Sequence, residues 1–157
     1  MATTENTNNT VTTETPRAAA GMSNGRRILT LAIGDTLAFL VFSWLGRGSH
    51  GEATGLAAIP QVVLTALPFI IGWFIVAPFL GAFRWDLADN PRKMAARTSL
   101  AWILAWPIGL VLHWVFQWRI PTPGTVLSFG IVSFTFNLLV LLAWRWPFAF
   151  VNKLRKS

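Results

Sequence analysis

Four apolar windows of about 20 residues, separated by short polar stretches, limit what this chain can fold into more than any other feature. They cover about 28–46, 60–83, 96–118 and 125–146. At about 1.5 Å of rise per residue, a helix of that length crosses the roughly 30 Å of hydrocarbon in a bilayer. Composition agrees: 54% of the 157 residues are hydrophobic and only 12% are charged, about half the charged share of an ordinary soluble domain. The expected fold is all-α, a four-helix transmembrane bundle of up-down topology over residues 27–147.

The flanks read differently. Residues 1–26 are rich in Thr, Asn and Ala with almost nothing to bury, which predicts a disordered cytoplasmic tail. No apolar core follows a basic start before Ile28, so the segment does not read as a secretory signal. Residues 148–157 form a basic cytoplasmic C-terminus. Between the spans, Asp86 to Pro91 and Pro121-Thr-Pro-Gly124 carry helix-breaking turn chemistry. Pro68, Pro78 and Pro107 fall within spans, where neighbouring helices can satisfy the freed backbone groups.

Basic residues set the expected direction. Arg17, Arg26 and Arg27 precede the first span, and Arg84, Arg92, Lys93 and Arg97 lie around the middle loop. Arg145, Lys153, Arg155 and Lys156 are placed at the C-terminal end, whereas the two remaining loops hold only Arg47 and Arg119. Eleven against two predicts cytoplasmic termini and a cytoplasmic middle loop. A net charge of +7 distributed at span ends, with no basic stripe on a soluble face, argues against nucleic acid. Trp44, Trp114 and Trp118 fall near one boundary and Trp85, Trp144 and Trp146 near the other, as interfacial belts do. Trp73, Trp102 and Trp106 lie deeper, and their indole N–H groups require partners there.

Polar residues inside the spans are the candidates for function. An ionised carboxylate near the bilayer centre costs about 2.5–3.5 kcal/mol on insertion scales, so Asp35 should face protein or water. It is read first as a packing lock and second as a proton or cation relay. Asn137 is expected at the same depth, hydrogen-bonded to Asp35 across a close helix approach at Gly34 or Gly72. His113, in the outer third of the third span, is read as a packing residue ahead of an axial ligand to a haem or pigment. Arg47, Ser49, His50 and Glu52, beside several glycines, form an outer-face motif that Arg119 and His113 are expected to join. It is either an ordinary solvated loop or a site for an anion, a headgroup or a partner.

The chain has no Cys, so thiolate metal sites and thiol nucleophiles are excluded. No phosphate loop, HExxH or nucleophile elbow is present. No catalytic set and no metal site is expected, and the sequence designates no cofactor.

Several of these residues together resemble a family. Gly34-Asp35, Val41-Phe42, the run from Gly46 to His50 with Glu52, Leu67-Pro-Phe69 and Gly72-Trp73 do so first. Trp102, Gly109, Ser128-Phe129 and Trp144-Arg145 follow in order. Together they resemble an uncharacterised bacterial multi-pass membrane family, a domain of unknown function numbered 3054 (DUF3054). Leu112-His113 stands where that pattern has Leu-Arg, so a titrating group replaces a fixed charge. The resemblance implies the fold and an inner-membrane location but no mechanism. The expected function is a non-enzymatic bundle that self-associates or serves a larger membrane complex, with the lipid bilayer and those copies or subunits as its partners. The alternative is a small oligomeric transporter using Asp35 and an outer Arg47/His50 mouth.

Overall fold

In the computed structural model, which describes residues 23–49, 55–118 and 120–155, local sequence sets the helix ends. Helix α1 runs over Asn24–Ser49. A single 3-10 turn at Leu56–Ala58 leads into α2, Ile59–Val76, which takes Pro60 in its first turn, where a missing N–H removes no helical bond. Helix α3, Pro91–Phe116, is capped by the Asn90 side chain accepting from the Lys93 N–H at 3.1 Å. Helix α4, Pro123–Leu154, is capped by Thr122 Oγ1 accepting from the Thr125 N–H at 3.3 Å. Both caps satisfy an N–H that the first turn would otherwise leave open.

Two boundaries differ from the expected spans. Regular α2 geometry stops at Val76 rather than Phe83, because Pro78 has no N–H to donate. One further turn closes on Gly81 at φ 68°, with Gly81 N–H bonded to Pro78 O and Ala82 N–H to Ala77 O. That paired pattern is a Schellman cap, which needs a residue in the left-handed region and so favours glycine. At the other extreme, α4 runs 32 residues to Leu154, eight beyond the expected end at Trp146.

The helices pack in a ring, each against the next, and α4 closes onto α1. No strand occurs among the described residues. Both ends of the chain's helical part, the α2–α3 link and the start of α3 lie at one end of the bundle, called here the proximal end. The centre is aromatic: Phe39, Phe69, Trp73 and Trp102 have no exposed surface and sit with ring centroids 5.5 to 6.4 Å apart. Trp102 Nε1 donates to Phe134 O at 2.9 Å and Trp106 Nε1 to Ser133 Oγ at 3.1 Å. At the crossing of α2 and α3, a Cβ on Gly72 would lie 2.9 Å from both Ala105 O and Gly109 N, so the two backbones approach as only glycine allows. A smaller cluster of Leu31, Leu87, Met94 and Ala149 closes the proximal end.

The outward face is also apolar. Ile33, Leu37, Val41, Leu104, Val111, Ile131 and Leu139 are all exposed, the reverse of a water-facing helix. All four helices are long and apolar enough to cross a membrane.

Candidate functional site

Asp35 is fully buried, and its partner is Arg145, not Asn137. The two meet in a two-bond fork: Arg145 Nε donates to Oδ1 at 2.7 Å and Nη2 to Oδ2 at 2.5 Å. Parallel N–H groups on a planar guanidinium match a carboxylate edge, which makes this among the stronger pairings open to side chains. Trp73 Nε1 adds a third donor to Oδ2 at 3.0 Å, meeting the need of the deep indole.

The remaining arginine donors are also engaged. Nη1 reaches Ala82 O at 2.7 Å and Thr98 Oγ1 at 3.5 Å, with Met94 Sδ at 3.8 Å. The guanidinium carbon lies 5.1 Å from the Trp73 ring centroid and 4.9 Å from that of Phe83, within cation–π range. All four helices and the α2–α3 link therefore meet at one ion pair. The Schellman cap serves it directly, since it turns the chain at Gly81 and leaves the carbonyl of Ala82 for Arg145. Irregular backbone is tolerated in an apolar setting where protein groups satisfy it in this way.

This overturns two expectations. Arg145 is not a charge at the proximal surface: it has no exposed area and lies nine residues before the end of α4. Asn137 is buried, but eight residues from Arg145, about 12 Å further along the axis. Its amide donates to Ser133 O on its own helix at 2.8 Å, the i−4 carbonyl that a short polar side chain reaches most easily. Its Oδ1 has no partner among the described residues. Gly34 does mark a close approach, against the indole of Trp144 on α4.

The family described as a protein of unknown function, DUF3054, matches residues 32–148. This chain belongs to the DUF3054 family. No curated protein and no solved structure matches it. Asp35, Trp73 and Arg145 all fall within the DUF3054 match, and so does the Gly81 turn.

At the distal end of the DUF3054 bundle, His113 is 3% exposed. Its ring stacks on Phe129 at 4.4 Å and 12°, with Phe69 at 5.8 Å and Trp114 edge-on at 5.1 Å. Nε2 lies 2.8 Å from the Gln117 amide nitrogen, which donates to it when the ring proton is on Nδ1. That arrangement engages Nε2 and covers one ring face with Phe129, while the buried Nδ1 has no partner among the described residues. Arg47 is half-buried in the last turn of α1, and Ser49 is that helix's last residue. His50, Glu52 and Arg119 lie outside the described residues, so the outer-face motif is described only in part. Among the described residues no three His, Asp or Glu side chains gather as a metal site would require.

Proposed function

We propose that this DUF3054 chain is a multi-pass component of the cell (inner) membrane, with cytoplasmic termini, whose role is to present a fixed helical bundle to copies of itself or to a larger complex. The observation that carries this is the Asp35–Arg145 pair. Both charges are fully buried, and they are held by groups from every helix. A proton or cation relay needs a carboxylate that water or an ion can reach. Here a relay would first have to break a two-bond ion pair and strip an indole donor from the same oxygen. A fully bonded buried pair instead fixes helix register, which is what a docking platform requires.

Orientation is supported by where the other charges lie. Arg26, Arg84, Arg92, Lys93, Arg97, Lys153 and Arg155 are exposed, all at the proximal end. Moving Arg145 into the interior leaves ten basic residues against two in the expected loop count, and the direction is unchanged. The packing reading of His113 is supported by its stacking on Phe129 and its contact with Gln117.

Purification in a mild detergent, with mass spectrometry of all co-purifying proteins, tests the proposal. It expects a stoichiometric partner or a homo-oligomer. A monodisperse monomer that carries a pH-dependent flux in proteoliposomes would overturn it in favour of transport.

A further inference from the structure

Helix α1 does not seal tightly against α4. Between them lies an open apolar groove of about 400 Å³, bordered by Thr30, Gly34, Leu37, Val41, Val140 and Trp144. From Thr30 to Val41 it runs eleven residues, about 16 Å of helix, close to the depth of one leaflet of a bilayer with a roughly 30 Å core. Two polar features sit at its proximal end. Trp144 Nε1 is buried and has no partner among the described residues, although its ring borders the groove. Arg26 and Arg27 precede Thr30 by four and three positions, the spacing that places side chains over one helix face. Arg26 is exposed, and the buried Nε of Arg27 has no partner among the described residues.

We infer that the α1–α4 groove binds one anionic phospholipid of the cytoplasmic leaflet. An acyl chain lies along Leu37, Val41 and Val140, the Trp144 indole donates to an ester carbonyl, and Arg26 and Arg27 hold the phosphate. A second copy of the chain could fill the apolar length of the groove. It would, however, bring no anion to the two arginines, and charge complementarity therefore favours a lipid. The inference rests on the membrane reading given above.

Native mass spectrometry of the detergent-purified full chain, titrated with phosphatidylglycerol or phosphatidylcholine, tests it. Two arginines near the membrane surface at about 1 kcal/mol each correspond to roughly a 30-fold preference for phosphatidylglycerol. Arg26→Gln/Arg27→Gln should reduce that preference to less than about threefold, and Val140→Trp, which fills the groove, should weaken both lipids. Equal retention of the two lipids by the unmodified chain would overturn the inference. A phosphatidylglycerol preference that survives the double arginine variant, whose positions lie in the first turn of α1 and outside the buried core, would do the same. So would a dimer peak without lipid that Val140→Trp abolishes, which would assign the groove to a second copy. The membrane reading fails separately, if the protein remains in the aqueous fraction when membranes are sedimented.

Discussion

Removing one member of the central ion pair should cost far more than removing both. In Asp35→Leu, Arg145 keeps only Ala82 O and the distant Thr98 hydroxyl as oxygen acceptors. An uncompensated buried charge costs about 3–5 kcal/mol, and the orphaned Trp73 indole adds about 1–2 kcal/mol. The denatured chain in a membrane also finds partners for its polar groups, which moves the expectation to the lower end, about 4–5 kcal/mol. Arg145→Met should cost a similar amount by stranding the carboxylate. Asp35→Leu combined with Arg145→Met removes both charges and leaves Trp73 Nε1 and Ala82 O unpaired, for a net cost of about 1–3 kcal/mol. The coupling energy between the two positions should therefore exceed about 2 kcal/mol, well above what additive sites give. Reversible unfolding of all four proteins in mixed micelles, from mild detergent to dodecyl sulfate, measures it. A coupling below about 0.5 kcal/mol would mean that the two charges do not act on each other, and the lock would fail.

Further outcomes follow from the packing. Gly34→Ala should destabilise the bundle by about 1–3 kcal/mol, since the added Cβ overlaps the Trp144 indole, and Trp144→Ala in the same chain should recover most of that loss. Gly72→Ala should be comparably costly and should not be rescued by any side-chain truncation, because the Cβ meets the backbone of Ala105 and Gly109; thermal melts of the two series separate these cases. His113→Phe keeps the stack on Phe129 and should cost less than about 1 kcal/mol, with no change in visible absorbance of the purified protein. At the proximal surface the hydrogen bond from Arg84 holds the Asp86 carboxyl below its ordinary range. Any stabilisation from that pair is present above the ordinary carboxylate value and lost as pH falls through the lowered one. Asp86→Asn should therefore leave melts unchanged in shape between pH 8 and 5 and differ from the parent only in the small, salt-sensitive way of an exposed pair.

The helices were legible because their signal is long: about 20 apolar residues outweigh any local ambiguity. The ion pair was half legible. Asp35 declares itself as the one carboxylate inside a span, but Arg145, one residue before the expected end of the fourth span at Trp146, reads as a boundary charge. The run from Phe148 to Val151 stays apolar; read as a continuation of the span, it places Arg145 inside. Asn137 looked like the natural partner for a buried acid, yet its short amide is served by its own helix at Ser133. The Gly81 cap had a signal too, a glycine three residues after Pro78 at the end of an apolar run. What it does for Arg145 is a matter of tertiary geometry, and no local pattern encodes that.

Whether Asp35 locks the bundle or carries protons is decided by proton flux into proteoliposomes under an imposed pH gradient, with the unmodified chain compared with protein-free vesicles. The lock predicts equal rates. A flux carried by the unmodified chain and lost in a folded Asp35→Asn variant would contradict it.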